Sequence, residues 1–483
     1  MSVSRRTVIG AAIGAYPALR LAGVARAAES TEVIVVGGGF SGLNAAITLA
    51  DEGAKVTVLE ASGRVGGRAY TADHLYGKPE FGASQIGPYY ARVRYMCERL
   101  GVDITPGSNI NAPFAYSVQG ELIAKDAWES HRLNDTVGPE RALLPSTLLG
   151  YYLNAHNPLK ELDDWLRPDA LQYDIPLGEW LLAQGASPGA LRLISDGLVP
   201  ADLSRVSLLT LLQEHTRGQL LSGDEDMEGK DRFERAALTS ARVVGGTSRL
   251  PEAMAAYLGD AVRKNSPVSH VSSGRDGVAV RCLDGRRYRA DFAIIAMPFR
   301  PARRITFDPP LMGHQAEAVT RMPYANNSQV HMRIKGAPFW EQDGLDASLW
   351  TDGPINLIRQ PIAYDGSRDR LVAIAGGPKG DRLDQLRPRE RGEFVVAEIE
   401  RLRPSTKGKL EVTGVHSWAQ YPFVFGCRHS YSPGEMGRFI HDMIKPHDRI
   451  HFAGEQTRRL EIGMESAFES GERAAIEIIE KMG

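Results

Sequence analysis

The chain of 483 residues is poor in cysteine, carries no surplus of either charge and has no apolar run long enough to span a bilayer. Its three cysteines, Cys97, Cys282 and Cys427, cannot all pair and lie far apart, which argues against a disulfide scaffold or a cysteine-rich zinc module. Against 57 basic residues stand 59 acidic ones, a net charge of −2, so no basic excess is available for phosphates and no nucleic-acid partner is expected. His447 and His451 are four apart, but the second falls on an expected strand, so they do not share a helical face and no metal is expected. Neither a G-x-S-x-G elbow nor a Walker loop is present. What is there is an ordinary soluble composition, 43% hydrophobic and 24% charged. At about 150 residues per domain, the length suggests two to three domains.

The first residues read as an address. Ser4-Arg5-Arg6-Thr7 precedes an apolar stretch from Ala11 to Val24, broken by Pro17 and Arg20, and then Ala25-Arg26-Ala27. Paired arginines, a short apolar run and an A-x-A site predict a twin-arginine leader over 1–27 and a soluble periplasmic protein without a membrane span beyond it. That route carries folded proteins, which suits a chain that loads a cofactor before export.

Val33 to Val36 is a β-branched run ending at Gly37, a helical pattern follows from Ser41 to Gly53, and Lys55 to Glu60 is a second strand, so 33–60 forms one βαβ unit. Pro88 to Leu100 reads as a helix closed by Gly101. Residues 110–235 read as largely helical and loop-rich, with the acidic tract 223–228 a solvated loop. From Val262 to Pro298 the pattern is hairpin-like, with a turn at Asp284-Gly285 and a buried strand over 291–296. Gln329 to Ile334 alternates, and the chain closes with a strand over 449–453 and a helix over about 464–481.

Gly37-Gly38-Gly39-Phe40-Ser41-Gly42 fits G-x-G-x-x-G between the first strand and its helix. In that motif Gly37 allows the tight turn, Gly39 lets the backbone approach a pyrophosphate, and Gly42 lets helix and strand pack closely. The helix N-terminus offers free N–H groups to the phosphates. Glu60, 18 residues beyond Gly42, stands where an acid accepts hydrogen bonds from the adenosine ribose. Strand, motif, helix, strand and acid in this order predict a dinucleotide site, for nicotinamide or FAD.

Ala61-Ser62-Gly63-Arg64-Val65-Gly66-Gly67-Arg68 resembles the second signature of the flavin amine oxidase superfamily, which includes monoamine, polyamine and L-amino acid oxidases. Phe81-Gly82-Ala83-Ser84-Gln85-Ile86-Gly87-Pro88 is similar to the loop that lies along the flavin. Val244-Gly245-Gly246-Thr247 and 290–298 resemble the middle segments, and 452–457 with 464–473 the closing signature. The resemblance implies an α/β fold in which a Rossmann-like FAD-binding domain is assembled from 31–108, 238–300 and 415–483. A substrate domain of helices over a mixed sheet would then occupy 109–237 and 301–414. It places Gly66, Gly67 and Arg68 at the FAD pyrophosphate, Ala83 and Ser84 along the flavin, Gly454 and Glu455 near the ribityl chain, the backbone of Val268 at the adenine, and the Met464 N–H at the flavin pyrimidine. A helix N-terminus there would stabilise negative charge on the reduced flavin.

Cys427, nine residues after Trp418, resembles the monoamine oxidase cysteine that forms an 8α-thioether to FAD, so the cofactor is FAD, either covalent through Cys427 or held beside a buried unreactive thiol. Trp418 would pack beside the isoalloxazine or serve simply as core. Where monoamine oxidases set two aromatic side chains before the flavin, this chain has Arg428 and Gly463. An arginine facing the flavin would repel a cationic amine and attract a carboxylate or phenolate; a solvated or salt-bridged Arg428 is the other reading. Gln85 stands where L-amino acid oxidases carry a carboxylate-binding arginine. At the family's lysine, which holds a water at flavin N5, alignment puts His331, a base with pKa near neutrality, or with a one-residue shift Gln329 or Val330.

The activity implied is FAD-dependent hydride removal from a C–H alpha to an amine nitrogen, followed by imine hydrolysis. Dehydrogenation or desaturation of an anionic or phenolic non-amine is the alternative, and an exported flavoprotein with structural FAD a third. The expected partners are a small-molecule substrate and oxygen or a periplasmic cytochrome as acceptor; a homodimer stays open.

Overall fold

Val33 to Val36 is wholly β-branched and, after the exposed Lys55, Val56 to Leu59 carries only β-branched residues and a leucine, so both strands must lie inside a sheet covered on its two faces. The computed structural model, which describes residues 30–107, 114–197, 202–221, 240–363 and 366–482, places them at the centre of a five-stranded parallel sheet. Its order is Ile450–Phe452, Phe292–Ile295, Glu32–Val36, Lys55–Leu59, Val262–Arg263. Counted from the far edge in chain order this is 3-2-1-4-5, the doubly wound order in which the crevice beyond the first strand is the ligand site. The expected leader, 1–27, and the acidic tract 223–228 lie outside the described residues.

The helix Phe40–Asp51 runs back over this sheet and the closing helix Gly463–Ile479 lies against it. Small residues set the spacing: Ser41 Oγ and Ser470 Oγ are 3.1 Å apart, and the Asn44 side chain donates to the Phe468 carbonyl at 2.9 Å. Ala45, Ala46, Leu49, Ala474, Ala475 and Ile478 fill the layer beneath Val33, Val35 and Ile294. The hairpin read at Asp284-Gly285 joins Gly277–Cys282 to Arg287–Ala290 in a four-stranded sheet with Val268–Gly274 and Thr306–Asp308.

A seven-stranded mixed sheet makes the second layer, in the order Leu410–Ser417, Asn327–Ile334, Arg370–Gly376, Leu357–Arg359, Ser348–Thr351, Phe114–Val118, Glu121–Ile123. The last two strands correct the helical reading of 110–235. Phe114–Val118 is buried at every position, so its sequence shows no alternation from which a strand could be read. Asn327–Ile334 is a central strand buried on both faces except at Arg333 and, in part, Asn327. Residue 415, at the expected domain boundary, lies within the strand Leu410–Ser417. Residues Thr31–Gly483 pack as one compact unit. Among the described residues no helix is long and apolar enough to cross a membrane, and no three His, Cys, Asp or Glu residues cluster as metal ligands.

Candidate active site

The phosphate loop leaves the first strand at Gly37, whose φ of +115° and whose position 2.5 Å (from a would-be Cβ) from the Ala296 carbonyl exclude any side chain. The second glycine loop locks onto it: Gly66 N–H donates to the Gly38 carbonyl at 2.8 Å, Gly39 bridges to Gly66, and a Cβ on Gly67 would lie 3.5 Å from the Gly39 Cα. A Cβ on Gly42 would strike the Gly37 carbonyl. The helix Phe40–Asp51 has no side-chain cap and no acidic residue in its first turn, so its N–H groups are left for an anion. Glu60 is pinned beneath the loop, Oε2 accepting from Gly38 N–H at 2.8 Å and Oε1 from Ser62 N–H at 2.8 Å and Ser62 Oγ at 2.7 Å. A carboxylate has about four lone-pair sites, so acceptor capacity remains for a ribose hydroxyl. Val268 opens the strand Val268–Gly274, opposite Cys282. This bare-backbone cradle with a buried acid fits an adenine dinucleotide.

Arg68 sits at a buried charge node. Its Nη1 donates to the Cys427 carbonyl at 2.8 Å and to Glu455 Oε2 at 3.2 Å, and the same oxygen lies 2.9 Å from His429 Nδ1. Burial alone would raise the Glu455 pKa, but His429 first, then Arg68 and Arg458, hold it well below the usual carboxylate range. Gly454, at φ +122°, turns the chain into Glu455. Met464 lies in the first turn of Gly463–Ile479, whose N-terminus likewise lacks a side-chain cap.

A cavity of about 220 Å³ opens beside these groups and is lined by Phe81, Gly82 and Ser84 of the flavin loop together with Gln329, His331, Trp418 and Cys427. Trp418 is 1% exposed, and its Nε1 donates to the Phe81 carbonyl at 2.9 Å, which also accepts from Gln329 Nε2 at 2.9 Å. Gln329 Oε1 in turn faces His331 Nε2 at 2.9 Å. Since the amide N–H₂ donates to Phe81, its oxygen must accept, which puts the imidazole proton on Nε2 and leaves Nδ1 with the lone pair. Of the three aligned positions, Gln329 and His331 share the cavity face, whereas Val330 points into the opposite core. The expected pKa near neutrality is corrected, because burial pushes His331 down to about 3 and the ring is a neutral group throughout the physiological range. His416, stacked on Phe81 at 4.1 Å, is likewise pushed down to about 3, chiefly by burial.

Burial also raises the Cys427 thiol, against the pull of Arg68 and Arg428. Arg428 follows on the short strand Arg428–His429, and its guanidinium is paired with Glu214. Arg458, 2% exposed, donates to the same Glu214 oxygen from both Nη atoms at 3.2 Å, so one partly buried carboxylate serves two arginines. Gly463 has φ +62° and stands against Tyr90, while Gln85 lies in the loop next to Ile86. Ala83, at φ +59°, holds that loop to Thr247, whose Oγ1 donates to its carbonyl at 2.9 Å.

Three further groups had no sequence signal. Glu80 lines the same cavity, and burial raises its carboxyl to about 7 despite hydrogen bonds from the Thr247 N–H and Thr71 Oγ1. Glu214 and Tyr90 sit in a helix and at a helix start whose patterns carry only periodicity; a Glu three residues before Arg217 is a common surface pairing until the tertiary structure turns it inward.

The chain matches the family model for flavin containing amine oxidoreductases over residues 40–479. It is 29% identical to flavin-containing amine oxidase B of Bos taurus over 484 residues, covering 94% of this chain and 86% of the relative. Flavin-containing amine oxidase A of the same species is 27% identical over 492 residues, covering 95% and 86%. In three dimensions the fold is shared with wild-type putrescine oxidase bound to putrescine, at a TM-score of 0.75 and 23% identity, covering 93% of this chain and 99% of that one. It is shared equally with cyclohexylamine oxidase from Brevibacterium oxydans IH-35A, at a TM-score of 0.75 and 24% identity, covering 94% and 99%. With the doubly wound order, the paired glycine loops and the match along nine-tenths of its length, the chain belongs to the flavin-containing amine oxidoreductase family and is an FAD-dependent oxidoreductase of amine oxidase type.

Proposed function

We propose that the chain removes a hydride from the C–H alpha to the nitrogen of a small primary or secondary amine, releasing an imine that water hydrolyses to a carbonyl compound and ammonia or a smaller amine. The carrying observation is the cavity in which Trp418, His331, Gln329 and Cys427 meet the flavin loop, in a chain of this family. FAD, when bound, supplies the redox chemistry by accepting the hydride at N5 and passing two electrons to oxygen or to a periplasmic cytochrome.

The protein's part is positioning. The surroundings that hold the His331 ring neutral disfavour an ammonium beside it as well, so the amine reacts with the nitrogen lone pair that drives hydride loss. Neutral His331 offers a lone pair at Nδ1, which suits it to hold a water and not to carry charge. Trp418 and Phe81 are fixed to one another through a buried hydrogen bond and make a rigid wall. The anionic-substrate alternative drew on the missing aromatic pair and on Arg428; with Glu214 engaging that guanidinium, the support from Arg428 falls away. Export by the twin-arginine route to the periplasm is part of this proposal and is supported by the residues Ser4 to Ala27; N-terminal sequencing of the protein from periplasmic extract tests it, an intact Met1 sinking it.

The test of the activity is anaerobic. Purified yellow protein is mixed with amines, amino acids and aromatic acids while its visible absorbance is followed. Bleaching by amines is expected; bleaching by anionic non-amines alone would overturn the proposal.

A further inference from the structure

The cavity has a second end, and it lies on the same face of the seven-stranded sheet as His331. His331 pairs in register with Val372, and Val372 with Arg359, so the three stand side by side on adjacent strands. Residues paired in this way project to one face, and all three line the cavity. At about 4.8 Å between strands, the Arg359 backbone stands roughly 10 Å from that of His331. Ile374, paired with Gln329, lies beside Val372, so the floor between the two ends is apolar.

This far end is cationic. Arg242 enters it from the strand Ala241–Val243, and its Nη1 donates at 2.8 Å to the carbonyl of Ile362, just beyond Arg359 in the chain. Both Arg242 and Ile362 line the cavity. Arg370 and Lys78 line it too, each beside an acid that does not, Asp369 at 3.5 Å and Asp73 at 3.6 Å. Among the described lining residues the one acid is Glu80, whose carboxyl burial pushes up to about 7, so it opposes these charges only in part. A guanidinium keeps its charge at any working pH and carries five N–H donors, so Arg242 and Arg359 can hold protein contacts and still donate to an oxyanion. Arg428, paired with Glu214, is not among the lining residues and has no part in this end.

We propose that Arg359 and Arg242 form a carboxylate-binding end of the substrate site, so that the amine oxidised here carries a carboxylate on the side away from its reacting C–H. The inference rests on the amine reading above and narrows its substrate class. The apolar floor of Val372 and Ile374 suits an aromatic ring or a short methylene chain between the two groups. A planar guanidinium takes a carboxylate through two parallel hydrogen bonds. The same charges repel a second ammonium, so a diamine is the wrong substrate.

The experiment follows flavin reduction in the anaerobic holoenzyme by three amines that share one ring: benzylamine, 4-(aminomethyl)benzoate and 1,4-bis(aminomethyl)benzene. In the wild type the second-order rate constant for the carboxylate-bearing amine should exceed that for benzylamine on the order of tenfold, and the diamine should fall below both. Benzylamine reacting as fast as 4-(aminomethyl)benzoate would overturn the proposal and leave the amine reading standing. Arg359→Gln should bring the carboxylate-to-benzylamine ratio close to one, and Arg359→Lys, which keeps the charge, should restore part of it. A merely structural Arg359 would lower both rates together, and a ratio unchanged in Arg359→Gln overturns the proposal as well. Calorimetric titration of oxidised holoenzyme with 4-methylbenzoate, which has no amine, gives an independent readout, with affinity expected to fall about tenfold in Arg359→Gln. If no amine bleaches the wild type, the amine reading fails and this titration alone judges the carboxylate end, equal affinities in the two proteins overturning it.

Discussion

His331 and Gln329 face the same cavity two residues apart, and the 2.9 Å bond between imidazole Nε2 and amide Oε1 decides which histidine nitrogen carries the proton. The amide is itself fixed by donation to the Phe81 carbonyl at 2.9 Å and to Asn327 Oδ1 at 2.7 Å. A positional chain thus runs from the flavin loop to the one basic nitrogen of the ring.

Gln329→Leu should therefore act on catalysis through His331. Loss of the acceptor leaves a buried N–H without a partner, a cost of about 1–3 kcal/mol. The expected result is a lower kcat with the flavin still bound, whereas Gln329→Glu, which keeps an acceptor, should recover part of the rate. Equal rates in Gln329→Leu and wild type would refute the linkage.

Because His331 is held near pKa 3, it stays neutral from about pH 4 upward. The pH profile of kcat/KM should show no limb that disappears in His331→Asn. A neutral-range limb abolished by that substitution alone would contradict the assigned protonation state.

Glu80 does titrate near neutrality. Its carboxyl is raised from 4.5 to about 7, so the folded state binds the proton more tightly than the unfolded chain. Stability is then greatest below pH 4.5 for this group and declines as pH rises toward 7, by about 3 kcal/mol over the interval. Melting temperatures of Glu80→Gln across pH 5 to 8 should lack this component of the slope; parallel curves for variant and wild type would rule it out.

Glu455 has the opposite sign. Its pKa is lowered, so the stability it contributes is present above the ordinary carboxylate value and is lost as pH falls below about 4.5. Glu455→Gln should leave Arg68 without its counter-charge and His429 without its carboxylate partner, and cost about 3–5 kcal/mol, as breaking a buried pair does. Denaturation midpoints at neutral pH test this, and a midpoint unchanged from wild type would show the node to be dispensable.

Glu214→Gln should turn Arg428 and Arg458 into an uncompensated positive pair. The KM for a cationic amine should rise by roughly tenfold, and Arg428→Gln in the same background should return most of that rise, the coupling that a double-mutant cycle measures. Additive effects would separate the two residues.

The parallel sheet was legible because its strands are continuous β-branched runs and its glycines recur at motif spacing, both local features of the chain. Phe114–Val118 was not, since a strand buried on both faces in a mixed sheet has neither alternation nor a neighbouring motif. Within the site, Trp418, His331 and Cys427 were reachable through aligned signatures and do line one cavity. Their electrostatics were not: His331 is depressed by burial itself, Glu80 keeps its proton through burial against a Thr247 N–H 167 positions away, and the partner of Arg428 lies 214 positions away, which no window of sequence contains. Tyr90 was hidden for a related reason: the glycine it stands against, Gly463, lies 373 positions later.

The edge strand Ile450–Phe452 and the helix Gly463–Ile479 complete a cofactor site whose first strand is Glu32–Val36. The last tenth of the polypeptide is thus needed by the first. Glu455, Met464 and the helix against Ser41 all come from this segment, so the glycine loops near residue 40 cannot by themselves enclose a cofactor, and two stretches about four hundred residues apart must meet before the pocket has both its walls.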